Sequence, residues 1–198
     1  MNISYSTFAG RAFLLSLVLL LGGCQTAYYS TMEKFGVHKR DILVDRVEAA
    51  RNSQEEAKDQ FKSALDRFSD VLGFQGGELK EKYDQLSSEF KRSEDKANEV
   101  SKRIESVEAV AEALFDEWES ELKQYSNQSM GRTSQDNLAK TRVQYKRLIK
   151  AMKNAERRIA PVINVFRDHV LFLKHNLNAQ AIASLQNELV SVKTNVNR

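Results

Sequence analysis

Few residues in this 198-residue chain are of a type that does chemistry, and one of them is placed as if for it. Cys24 is the sole cysteine, and it closes the string Leu21-Gly22-Gly23-Cys24 after an apolar run, residues 12–21, broken only by Ser16. With no second cysteine the thiol has no intramolecular disulfide partner, so it is read as an attachment point and not as a structural crosslink. The histidines are His38, His169 and His175. No two of them have the close helical spacing that sets two metal ligands on one face, and Asp168 is the one carboxylate beside them, best read as a polar pair with His169 at a core edge. No serine sits in a nucleophile elbow, and the acidic residues recur at spacings matched by lysines, as on solvated helix faces. The expectation is a protein that is not an enzyme and uses no metal and no cofactor.

The elements around Cys24 say how it would be used. Residues 1–11 carry one basic side chain and no acid, and the ten apolar residues that follow would span about 15 Å as a helix, half a bilayer core. That is the core of an export signal and not a membrane span. The four residues ending at Cys24 resemble the lipobox of bacterial lipoproteins, in which the cysteine receives a diacylglycerol and becomes the mature N-terminus. Gln25, where an aspartate would favour retention, resembles the sorting pattern for the outer membrane. Three acyl chains, as the resemblance implies, would hold the protein to the bilayer, because two lipid signals already suffice for stable anchoring.

After residue 23 the chain has the composition of long helices: few glycines, a single proline (Pro161), and much Ala, Glu, Lys, Leu and Arg. The overall charge of +3 hides a division. Residues 41–125 hold 13 Lys/Arg against 22 Asp/Glu, and residues 126–198 hold 13 against 4. Opposite halves of one chain are read first as helices that lie side by side. A basic half also suggests nucleic acid, but export and the lack of an aromatic–basic platform speak against it. A surface for anionic lipid, glycolipid or an acidic protein is the remaining use.

Apolar periodicity supplies the helices. Residues 24–40 read as a linker or helical turn, with Gly36 ending the turn, Ser30 and Glu33 at capping-box spacing, Met32 and Phe35 available to pack on the base of the domain, and His38-Lys39-Arg40 as a small basic cluster. A first long helix is expected over residues 41–72, with a seam of Leu43, Val47, Ala50, Gln54, Ala57, Phe61, Ala64, Phe68 and Val71 that alternates steps of four and three and is broken by Gln54. Glycines at 73, 76 and 77 make the turn. A second helix, residues 78–125, has a seam from Leu79 through Phe90, Ser93, Ala97, Ile104 and Trp118 to Tyr125 that narrows at Ser93 and Ala97. Residues 126–132 form the second turn, and Thr133 with Asp136 signal the start of a third helix. Its seam runs from Leu138 through Tyr145, Met152, Phe166 and His169 to Leu173, with a kink or break expected at Pro161. Ile182, Leu185, Leu189, Val192 and Val196 form a last seam, out of step with the one before it.

Folding the second hairpin about Met130 sets Glu119 near Arg142, Asp116 near Tyr145 and Lys146, and Glu112 near Ile149 and Lys150. Lys153, Arg157 and Arg158 find fewer obvious partners and are the candidates for an outward basic patch.

The strings Tyr28-Tyr29, Met32-Glu33-Lys34-Phe35-Gly36-Val37-His38-Lys39-Arg40-Asp41-Ile42-Leu43-Val44-Asp45-Arg46-Val47, Ala111-Glu112-Ala113-Leu114-Phe115-Asp116-Glu117-Trp118-Glu119 and Leu173-Lys174-His175-Asn176-Leu177-Asn178-Ala179-Gln180-Ala181-Ile182 resemble a family of uncharacterised bacterial lipoproteins over essentially the whole mature chain. The resemblance implies export, anchoring and a helical fold, and carries no activity with it.

The sequence is therefore read as a signal peptide (1–23), a lipidated linker (24–40) and an all-α domain (41–198), an elongated antiparallel coiled coil or helical bundle of three to four long helices. Cys24 would hold it to the outer membrane, facing the periplasm, as a non-enzymatic adaptor or scaffold for an envelope protein, with homo-oligomerisation left open. The alternative is an envelope structural protein that binds anionic glycolipid, lipid or cell wall through Lys153, Arg157 and Arg158.

Overall fold

The structure, a computed structural model, describes residues 28–29, 31–33, 36–72 and 79–176, with Val71, Leu72 and Leu79 described by their backbone alone. Cys24, the glycine turn and the last seam at 182–196 lie outside the described residues.

Helical residues at 28–29 and 31–33 precede three long helices: α1 (Lys39–Leu72), α2 (Leu79–Leu122) and α3 (Gln128–His175). At 1.5 Å per residue the 44 residues of α2 and the 48 of α3 span about 66 and 72 Å. Helix α2 is the central element, packed along α1 on one side and α3 on the other, whereas the backbones of α1 and α3 scarcely approach each other. Cross-helix partners fix the directions. Glu56 meets Lys96 and Arg46 meets Ser106, so α1 and α2 are antiparallel. Glu119 meets Arg142 and Glu94 meets Arg167, so α2 and α3 are antiparallel as well. The fold is an all-α helical bundle.

The sequence seams become the core. Ala50, Ala57, Phe61, Ala64 and Phe68 of α1, Leu86, Val100, Ile104 and Val107 of α2, and Met152, Val162, Phe166 and Leu173 of α3 are buried in one continuous cluster. Burying a side chain such as Phe68 or Ile104 contributes roughly 1.5–3 kcal/mol, and this cluster is where most stability resides. Toward the start of α1 two smaller clusters continue the interior. One joins Ala111, Phe115 and Leu138 with Trp118 and Leu122, and the other joins Tyr29, Ile42 and Val110. Direct links between α1 and α3 are side-chain links: the His169 ring stacks on Phe68 at 4.6 Å, and Gln54 Nε2 donates to the Met152 carbonyl at 3.2 Å. Gln54, which interrupts the apolar seam, is thus a bridge to the third helix.

Four expectations need correction. Helix α2 ends at Leu122, where Lys123 N donates to the Ser120 carbonyl and Gln124 N to that of Glu121, tightening the last turn and leaving Tyr125 beyond it. Helix α3 starts five residues before Thr133, because the side chain of Asn127 accepts from the backbone N–H of Ser129 and Met130 and caps it there. Of the kink or break expected at Pro161, the break does not occur, and α3 runs on to His175. Val162, Ile163 and Phe166 are buried just beyond the proline, and its own ring faces solvent, so packing outweighs the lost hydrogen bond. Finally, His169 lies in the core and not at its edge, while neighbouring Asp168 is exposed.

Candidate functional site

The chain enters the bundle through a built junction. Tyr29 is buried against Ile42 and Val110, with Met32 and Ala113 packed beside it, and Tyr28 meets it edge-on at 5.4 Å. The short helix then ends in a tight reversal. Gly36 takes φ +79°, its N–H donates to the Glu33 carbonyl at 2.9 Å, and Val37 N–H donates to the Met32 carbonyl at 3.1 Å. That double bond with a left-handed glycine is the Schellman arrangement, and glycine is the residue that adopts the conformation without a Cβ penalty. The His38 carbonyl accepts from Asp41 and Ile42 N–H and starts α1.

Lys39 closes the junction. Its ammonium, on a side chain only 11% exposed, binds Glu33 of the short helix and, at 2.9 Å, Glu117 of α2. Burial works to lower the Lys39 pKa, but the hydrogen bonds and charges of Glu33 and Glu117 outweigh it and hold it above its ordinary value. The Lys39 hydrogen bond in turn holds Glu33 below its own. Of the basic cluster His38-Lys39-Arg40, then, Lys39 is internal, Arg40 pairs with neighbouring Asp41 at 3.3 Å, and His38 is exposed.

A polar network lies deep in the α1–α2 interface, at the point where the seam narrows. Ser93 is fully buried, donates to the Glu89 carbonyl at 2.9 Å and accepts from Gln60 Nε2 at 3.4 Å. The same Gln60 amide donates to the buried Glu89 carboxylate at 2.9 Å, which also takes a 2.5 Å hydrogen bond from Arg92. Burial pushes the Glu89 pKa up, but Gln60, Arg92 and the charge of Arg67 together hold it below the ordinary value. Glu89 lies one residue before the seam position Phe90, and its pairing across the interface required the antiparallel register of α1 against α2, which no spacing in the sequence prints.

The third region is the long outer side of α3. Val143, Arg147, Lys150, Asn154, Arg157, Pro161 and Phe172 are all exposed there. The sequence candidates divide. Lys153 has a partner after all, pairing with Glu108 of α2 at 2.5 Å. Arg157 binds Asn154 on its own helix, and Arg157 and Arg158 are both exposed. Lys153 therefore belongs to the α2–α3 ion pairs, with Glu119–Arg142 and Glu94–Arg167, and the outward basic character is carried by Lys146, Arg147, Lys150, Arg157 and Arg158.

No described helix is long and apolar enough to cross a membrane. No curated protein and no solved structure matches the chain. A family model described as a protein of unknown function matches residues 28–198, the region that begins at the Tyr28–Tyr29 junction and takes in all three helices. The chain belongs to that family, DUF2959.

Proposed function

We propose that the protein is a lipid-anchored envelope scaffold: Cys24 carries the lipid, the bundle stands on the periplasmic side of the outer membrane, and the outer side of α3 docks an envelope protein without catalysing a reaction. The observation that carries this reading is the one-sided packing of α3. Over 48 residues its inner side is buried against α2 and α1, while its outer side presents exposed Val143 and Phe172 around the basic run Lys146, Arg147, Lys150 and Arg157. A run of exposed cations with single apolar residues toward either end suits an acidic protein surface. The junction at Tyr28–Lys39 supports the anchoring half, since it joins the segment after Cys24 rigidly to the bundle.

Two measurements test the reading. Cys24→Ser should move the exported protein from the membrane fraction to the soluble fraction, and membrane retention would overturn the anchor. Photocrosslinking probes at Lys150 and Arg157 in cells should give a discrete protein adduct. Adducts confined to lipid, glycolipid or cell wall would replace the scaffold reading with surface binding through the basic side.

A further inference from the structure

At the end of the bundle where the chain enters, α2 and α3 run past the start of α1. Lys39, the first residue of α1, pairs with Glu117, and α2 continues to Leu122 before the turn into α3. The projecting tip carries exposed apolar side chains. Tyr125 is 44% exposed and Met130 59%, side by side on the turn and the first turn of α3. The tyrosine lies against the start of α3, where a Cβ on Gly131 would be in ordinary contact with Tyr125 Cβ at 3.4 Å. Behind them Trp118 and Leu122 are half-buried, and the indole N–H donates to Ser134 Oγ at 2.8 Å, which fixes the wedge in place. Lys123 and Arg132 flank the tip and are exposed, with Glu121 and Asp136 exposed further back on α2 and α3 and Glu119 engaged by Arg142.

Chain length states what this end faces. Cys24 precedes Tyr28 by four positions, so an extended chain places it within about 14 Å of the junction. Lipid attached there brings the bilayer surface to this end of the bundle and not to the end where α1 stops and α2 starts. Tyr28 and Val37, at the junction, are exposed as well.

We propose that the α2–α3 tip is a second membrane contact: Tyr125 and Met130 enter the headgroup region of the bilayer that holds Cys24, and Lys123 and Arg132 meet its anionic headgroups. Tyrosine with an apolar body and polar tip suits the interface, and a basic pair beside it adds attraction to anionic lipid. With the lipid anchor as one point of attachment, a second one fixes the tilt of the helices and hence the direction in which the outer side of α3 is offered. The proposal rests on the anchoring reading above.

The test uses full-length acylated protein in vesicles of phosphatidylethanolamine and phosphatidylglycerol. The sole native cysteine is blocked by acylation, so Met130→Cys or Ser88→Cys accepts one environment-sensitive fluorophore. Ser88 is exposed and lies about 50 Å back along α2 from its C-terminal end. Nitroxide-bearing lipids should quench the probe at 130 at least threefold more than the probe at 88. In a third protein with the 130 probe, Lys123→Glu with Arg132→Glu should remove most of that quenching. Mass spectrometry of the N-terminal peptide reports the anchor separately. Acylated protein with equal quenching at both sites overturns the tip contact and leaves the anchor standing. An unacylated peptide overturns both, because the orientation of the tip then has no basis.

Discussion

The amide of Gln60 on α1 donates across the helix interface to the carboxylate of Glu89 on α2 at 2.9 Å. The same amide reaches Ser93 Oγ, so one glutamine serves two buried acceptors on successive turns of its partner helix. Apolar seams of four-and-three spacing can slide by a heptad with little change in buried area. A buried polar pair cannot, because a shift leaves both groups unsatisfied. Gln60 and Glu89 are thus the register lock of the first hairpin.

Breaking the lock from either side should cost different amounts. Gln60→Leu leaves a buried carboxylate with Arg92 as its remaining side-chain donor and should lower stability by roughly 2–4 kcal/mol, as measured by urea denaturation. Gln60→Leu with Glu89→Leu removes both polar groups and should recover most of that loss, while allowing alternative registers that a disulfide-trapping pair would detect. A double variant no more stable than the single one would show that the pair contributes net stability and not register.

The sign of the pH dependence follows from the same carboxylate. Glu89 has a lowered pKa in the folded state, so its contribution is complete above the unfolded value and is lost as pH falls through the folded one. Stability should therefore decline below about pH 4, and Glu89→Gln, which keeps the shape and drops the titration, should flatten that limb of the curve. Lys39 works in the opposite direction. Its pKa is raised, so its contribution is complete through neutral pH and lost only in strong alkali.

Lys39→Met should loosen the junction without melting the bundle. The ammonium ties residues 28–33 to Glu117, and two charge-assisted hydrogen bonds on a nearly buried side chain contribute about 1–3 kcal/mol. The apolar cluster around Phe68 and Ile104 is untouched by this change. Hydrogen exchange should accelerate in residues 28–42 at least tenfold and remain unchanged in the middle of α2. Uniform acceleration along α2 would mean that the junction nucleates the fold.

Much of the bundle was legible in sequence because its signals are local. Four-and-three spacing marked the seams of α1, α2 and α3, and Phe61, Phe68, Ile104 and Phe166 are buried where the seams put them. Gly36 ended its turn as its type suggests. The charge division between residues 41–125 and 126–198 yielded the Glu119–Arg142 pair directly, since hairpin geometry alone sets which residues oppose. What could not be read depends on the third helix or on competing caps. Gln54 looked like a flaw until Met152 lay opposite it, and Lys153 looked unpartnered until Glu108 did. Thr133 and Asp136 carried a proper start signal, but Asn127 carried one earlier in the chain and won. Lys39 read as part of a small basic cluster, because the pairing that makes it a clamp comes from Glu117, far away in sequence.

The α2–α3 ion pairs should guide pairing more than they stabilise it. Glu108–Lys153 joins side chains that are 38% and 44% exposed, and such pairs contribute about 0–1 kcal/mol after screening. Glu108→Lys should cost about 1 kcal/mol at low salt and less at 0.5 M. Glu108→Lys combined with Lys153→Glu should return most of it, giving a coupling of about 1 kcal/mol in a double-mutant cycle. A coupling above 2 kcal/mol would contradict the solvent exposure of this pair.

Pro161 offers the clearest gain. It lies inside an uninterrupted helix on the solvent side, with Val162 and Ile163 buried next to it, so its neighbours and not its own propensity keep α3 continuous. Proline has no N–H to donate to the Arg157 carbonyl and is about 3 kcal/mol less favourable than alanine inside a helix. Pro161→Ala should therefore stabilise the protein by about 1–3 kcal/mol and raise Tm by several degrees, measurable by circular dichroism. The gain falls short of the full propensity difference to the extent that α3 has settled its packing around the proline. A fall in Tm would mean that Val162, Phe166 and Leu173 reach their places in the core only because Pro161 redirects the helix, and that the residue is kept for the bend it imposes.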